Sequence, residues 1–240
     1  MNSYDELGRA VGELAGGDRD RQALRRTVGL AQASMRAAGA RSVATGRWFA
    51  ETVLDVAPHL PARDLTTLQA HHGGQSGPEL AGTLIRNAAR TTAAVGAVAG
   101  AVAGAEELAP PAWLALPAEL VVETLVVVAV EMKLVAELHA SYGRPVTGTA
   151  AERGLAVARA WAERRGISPH TLVQSGGLGQ SLGQSTRREV ARLLQRRLAR
   201  RALRNLPTLA PFLAGAVAGA EVNRRATRSL GEAVVRDLAA

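Results

Sequence analysis

Residues 110–143 read PPAWLALPAELVVETLVVVAVEMKLVAELHASYG, and the reading of that stretch decides the fold. No other part of the chain is as apolar or as dense in β-branched residues, and it holds Lys133, the only lysine. Window hydropathy marks the segment from Trp113 to Val130 as a candidate membrane span. The charges oppose that reading: Glu119, Glu123, Glu131, Lys133 and Glu137 interrupt the apolar run, and Pro117 lies inside its start. A charge near the centre of a spanning helix costs about 2.5–3.5 kcal/mol, whereas a Leu or Val returns about 0.3–0.6. Roughly a dozen aliphatic residues therefore recover only what two or three central charges cost. The alternative is a helix apolar all round because it is buried on every side, and this stretch is predicted to be such a helix.

At about 100° per residue, Glu119, Glu123, Lys133 and Glu137 fall on one narrow face, with Val126 and Val130 between them. Lys133 and Glu137 are i, i+4 neighbours and can pair. The charges lie toward the two ends of the helix, where water or a partner is expected to reach them.

Toward the N-terminus, Ser3 to Leu14 is predicted as a short helix ended by Gly16-Gly17. A second helix follows Asp18, with Leu24, Val28, Ala31 and Met35 as its apolar stripe, and Gly39 breaks it. Ser42 to Val56 continues as helix until Pro58 and Pro61 stop it. Asp64 to Ala70 forms a short turn of helix, and HHGGQSGP (71–78) is a loop. Glu79 to Glu107 then reads as a long helix with Gly96, Gly100 and Gly104 at four-residue intervals. Glycine costs about 1 kcal/mol per helical site relative to alanine, so such a row marks close approach of another helix.

Beyond the central stretch, Thr149 caps a helix from Ala150 to Arg165. QSGGLGQSLGQS (174–185) is a glycine-rich connector that lacks the Lys-Ser/Thr of a phosphate loop and has no strand before it. TRREVARLLQRRLARRALRN (186–205) is a basic amphipathic helix with Val190, Leu194, Leu198 and Ala202 as its stripe. A small-residue helix, Ala214 to Arg228, and an amphipathic segment complete the chain. AGAVAGAE occurs at 99–106 and again at 214–221, so the two helix faces can pack together. No stretch alternates as a strand does. The fold class is all-α: a multi-helix domain around one long aliphatic central helix, with close-packed Gly/Ala-rich helices. Residues 1–70 form an N-terminal helical segment and 79–240 the main domain.

Composition sets further bounds. Aromatic residues are 3% of the chain, so the core is built from small and aliphatic side chains. The net charge of +8 favours acidic partners. With no cysteine, disulfides, thiolate metal sites and a cysteine nucleophile are excluded. The acidic N-terminus does not read as a secretory signal, which makes the cytoplasm the expected compartment.

The central stretch also resembles a known family. LPAELVVETLVVVAVEMKLVAELHASYG (116–143), followed by Pro145 and by Glu152-Arg153, is similar to the signature of the EcsC family: an Ala-Leu-Pro-Ala-acid start, a long aliphatic helix and a Tyr-Gly pair. RRLARRALRNLPTLAPFLAGAVAGAEVN (196–223), ending at Asn223, resembles its second landmark, and the glycine-rich segment sits where such proteins tend to carry one. The resemblance spans roughly Glu79 to the C-terminus. Glu119 stands where the family more often has Asp, and PFLAGAVAGA replaces a Pro-Val-Val-Gly-Ala pattern. What the resemblance implies is a helical protein of undefined biochemical activity that acts near membranes.

Function follows as expectation. The candidate polar site comprises Glu119, Glu123, Lys133, Glu137 and Asn223. The candidate membrane- or partner-binding surface comprises Arg187, Arg188, Arg192, Arg196, Arg197, Arg200, Arg201 and Arg204, which suit an anionic membrane surface or a membrane-bound protein. Nucleic acid is disfavoured, because no stacking aromatics or recognised motif accompany the arginines. The glycine rows leave room for a hydrophobic ligand between helices. No catalytic residue, cofactor or metal is assigned; His71-His72 stand beside glycines, with His59, His139 and His170 scattered and no thiols to help them. The expected protein is non-enzymatic and cytoplasmic, at the inner face of the membrane. The alternatives are an enzyme using the central carboxylates, or an integral protein inserted through Gly/Ala-rich hairpins.

Overall fold

A computed structural model describes residues 3–17, 21–44, 47–103, 118–165 and 212–240. Every regular element among them is helical: α1 (Ser3–Gly16), α2 (Arg21–Ala38), α3 (Ala40–Ala44), α4 (Arg47–Val56), a 3₁₀ turn (Ala57–His59), α5 (Leu65–His71), α6 (Gly77–Ala103), α7 (Ala118–Ser141), α8 (Ala150–Arg164) and α9 (Phe212–Ala239). The protein is all-α. The glycine-rich connector and the basic segment 186–205 lie outside the described residues.

The central helix is α7. It touches α1, α2, α4, α5, α6, α8 and α9, so its apolar residues are covered whichever way they point. Val122, Leu125, Ala129, Met132, Leu134, Val135 and Leu138 are all buried, each larger side chain contributing about 1.5–3 kcal/mol relative to exposure. Leu7, Val11 and Leu14 of α1 join the same hydrophobic cluster as α7, so the N-terminal segment and the rest of the chain share one core. No described helix is long and apolar enough to cross a membrane.

Local signals set the helix ends. Thr149 accepts from the Glu152 amide at 3.3 Å while the Glu152 carboxylate accepts from the Thr149 amide at 2.8 Å, a reciprocal cap that satisfies two otherwise orphaned donors. Asp64 caps α5 through the Thr67 amide at 2.7 Å. Gly143, at φ 68°, ends α7 in the left-handed conformation glycine accepts without strain. Gly143 N donates to Ala140 O and Arg144 N to His139 O.

The predicted apolar stripe of α2 holds except at Leu24: Ala31 is buried, and Val28 and Met35 pack against the core. Thr27, Ala31 and Ser34 are buried, whereas Leu24 is 36% exposed. The buried Ser34 has a partner in Trp48 of α4, which is 1% exposed and donates its indole N–H to Ser34 Oγ at 2.8 Å. A buried indole N–H needs an acceptor, and Ser34 supplies it.

The last described helix is one continuous element. The predicted small-residue helix and the amphipathic segment after it both belong to α9, which lies antiparallel against α6. Asn223 Nδ2 donates to Thr92 O at 3.3 Å, and a Cβ at Gly96 would stand 2.7 Å from Gly219 O. The backbones approach so closely that only glycine fits at Gly96, the close approach expected there from the four-residue glycine spacing; the surroundings of Gly100 and Gly104 lie outside the described residues.

Candidate functional site

α7 carries four glutamates and one lysine, and their surroundings separate them. Glu131 is 2% exposed and accepts from three residues, on α8, just after it and on α9. Its Oε2 takes Trp161 Nε1 at 2.9 Å and Arg165 Nε at 3.1 Å, and its Oε1 takes Thr227 Oγ1 at 2.8 Å and Arg165 Nη2. Thr92 Oγ1 lies 2.9 Å from Thr227 Oγ1. A hydroxyl has one proton, and a carboxylate paired with a guanidinium only accepts. Thr227 therefore donates to Glu131, and Thr92 donates to Thr227. This chain ties α6, α9 and α7 together, with α8 joined through Trp161.

The second cluster lies near the C-terminal end of α7. Glu137 accepts from Arg63 Nε at 2.8 Å, Arg63 Nη2 at 3.1 Å and the Arg63 amide at 3.4 Å. Lys133 Nζ stands 3.5 Å from the same carboxylate, so the expected i, i+4 pair forms. The hydrogen bond to Glu137 raises the Arg63 pKa above its ordinary value. A cavity of about 80 Å³ opens beside this cluster, lined by Arg63, Asn87, Thr91, Lys133 and Glu137 on its polar side. A wider groove of about 390 Å³ runs past Leu60, Ala136, Ala140, Pro145, Val146 and Val157.

The third cluster is at the N-terminal end of α7. Glu119 is exposed and Glu123 is buried. Among the described residues, Glu123 Oε2 has no hydrogen-bond partner. Burial, with a smaller contribution from the Glu119 charge one turn away, pushes the Glu123 pKa up to about 7.

The predicted polar site is thus not one site. Lys133 and Glu137 come together, joined by Arg63. Glu119 and Glu123 lie ten or more residues away on α7, about 15 Å at 1.5 Å per residue. Asn223 sits in the contact between α6 and α9. The carboxylates at both ends are also less accessible than the sequence suggested: Glu137 is 3% and Glu123 7% exposed. Two functional partners escaped the sequence reading. Arg63 reaches Glu137 across 74 residues and Arg165 reaches Glu131 across 34, and no local spacing signals either pairing. His71 Nδ1 donates to Thr67 O at 2.8 Å. Among the described residues no group of three His, Asp or Glu side chains gathers as a metal site would require. The eight candidate surface arginines, Arg187 to Arg204, lie outside the described residues.

Comparison with protein-family models, with curated proteins and with solved structures finds no match.

Proposed function

We propose that the chain is a non-enzymatic, EcsC-like helical protein that attaches peripherally to the inner face of a membrane, at anionic lipid. One observation carries this reading. The antiparallel register that sets Gly96 beside Gly219 brings Ala103, the end of α6, level with Phe212, the start of α9. Both helix ends are free of charge, over Ala93–Ala103 (AAVGAVAGAVA) and over Phe212–Ala220 (FLAGAVAGA). The arginine-rich segment ends at Arg204, eight residues before Phe212, so even fully extended chain keeps it within about 28 Å of that end. Glu106 and Glu107 follow Ala103 within four residues, and the eight arginines outweigh them; an uncharged tip with a net cationic surround matches the interface of an anionic bilayer, where apolar contact and headgroup attraction act together.

Vesicle flotation tests the reading. The protein should float with vesicles containing phosphatidylglycerol at low salt and detach at about 0.5 M salt, where the screening length falls to roughly 4 Å. Replacing the eight arginines with glutamine should abolish flotation. Failure to float with anionic vesicles at low salt would overturn the proposal, and resistance to carbonate extraction would favour integral insertion instead.

A further inference from the structure

The cavity beside Glu137 holds more donors than the ion pair uses. Glu137 contributes one negative charge, and Arg63 and Lys133 contribute two positive ones, so the cluster is left with a net positive charge. Lys133 has one carboxylate contact for its three N–H groups. Arg63 uses Nε and Nη2 on Glu137, and Nη1 is not needed for that fork. Among the described residues, no hydrogen bond engages the side chains of Asn87 or Thr91, which also line the cavity. Asn87 and Thr91 are i, i+4 neighbours on α6, so both face the same side. Asn87 is exposed and Lys133 half-buried, so the cavity is open to water at its rim. Arg90, three residues after Asn87 on α6, is exposed and adds positive charge near that rim.

The geometry points to a binding site for a small tetrahedral oxyanion of the phosphate type, held by Lys133, Arg63, Asn87 and Thr91. The donors come from three separate elements: the connection before α5, α6 and α7. They surround a volume of about 80 Å³, which has room for a few waters or one small polyatomic ion. Glu137 is not a ligand. It fixes the two cations in place and leaves the excess charge to the guest. An anion with oxygens on several sides uses such donors better than a planar carboxylate does. The site lies about 18 Å along α6 from Ala103, at 1.5 Å per residue between Thr91 and that end. A free phosphate or phosphomonoester suits that position better than a headgroup of the bilayer proposed above, and the inference does not depend on that bilayer.

Titration of the whole chain with inorganic phosphate at pH 7, at ionic strength held constant with sodium chloride, tests the site. Saturable binding by calorimetry and a matching rise in Tm are expected. Lys133→Met should weaken binding about tenfold or more, the loss expected for a charged hydrogen bond. That variant keeps Arg63 on Glu137 and should remain folded by circular dichroism. The Asn87→Ala, Thr91→Val double variant should weaken binding several-fold with Tm unchanged in the absence of phosphate. Vesicles carrying phosphatidate identify the source: binding that Lys133→Met does not alter leaves the soluble anion as the ligand, and binding that it abolishes assigns the site to the headgroup. Absence of saturable phosphate binding, or equal binding by folded Lys133→Met protein, overturns the inference.

Discussion

Glu131 and Glu123 sit eight residues apart on α7, about 12 Å along its axis, and both are buried. Around Glu131 the protein supplies an arginine, an indole and a hydroxyl from α8, α9 and the residue that closes α8. Around Glu123 the described residues supply no donor to one oxygen and a second carboxylate one turn away. The first carboxylate organises its neighbours, because a buried charge is tolerated only where it is paired and hydrogen-bonded. The second avoids the cost of a buried charge by holding its proton up to near neutral pH. Burial alone therefore does not say what an acidic residue does in this helix; its donors do.

The most forceful way to break the comparison is Glu131→Ala. It removes the acceptor shared by the Arg165 guanidinium, the buried Trp161 N–H and the Thr227 hydroxyl, and should cost about 3–5 kcal/mol in urea unfolding with an unchanged m-value. A loss below 1 kcal/mol would show that water replaces the carboxylate. Gly96→Ala attacks the seam that brings Thr227 to Glu131. The new methyl would meet Gly219 O at 2.7 Å, so α9 must move, at a cost of about 1–3 kcal/mol. Gly29→Ala is the control, since nothing lies within 4 Å of a Cβ there, and it should stabilise by up to about 1 kcal/mol.

Glu123→Gln addresses the other end. With the folded pKa raised from 4.5 to about 7, the folded state holds a proton that the unfolded chain releases. This group's contribution to stability is therefore greatest below pH 4.5, falls as pH rises toward 7, and stays low above it. The glutamine variant should remove on the order of 2 kcal/mol of that decline, measured as the difference between variant and parent unfolding at pH 5 and pH 8. Parallel pH profiles for the two proteins would refute the assignment. The smallest effect belongs to Glu119→Gln, which removes the like charge one turn from Glu123. It should stabilise the protein at pH 8 by about 0.2–0.5 kcal/mol and lower the Glu123 titration midpoint in carboxyl NMR.

What the sequence disclosed was local or periodic. The charged residues of α7 kept to its two ends, the Thr149 cap and the close approach at Gly96 each follow from spacing within one element. So did the pairing of Lys133 with Glu137. Leu24 and Ser34 of α2 show the limit: the leucine is exposed while the serine is buried, and the Trp48 indole that Ser34 accepts comes from another helix. Arg63 and Arg165 were invisible for the same reason, because a partner brought in by tertiary packing leaves no periodic trace. The candidate site divided into clusters because a shared face on one helix is set by sequence, whereas what covers that face is not.

The seam between α6 and α9 has a consequence for biosynthesis. Thr92 and Thr227 are 135 residues apart, and at about 5–20 residues per second the ribosome needs roughly 7–27 s to travel between them. Through that interval α6 presents an uncharged glycine-alanine face with nothing to close it, and Glu131 lacks its hydroxyl donor. The seam at Thr92 and Gly96 can therefore shut only once α9 has been made, so the bundle closes late in synthesis.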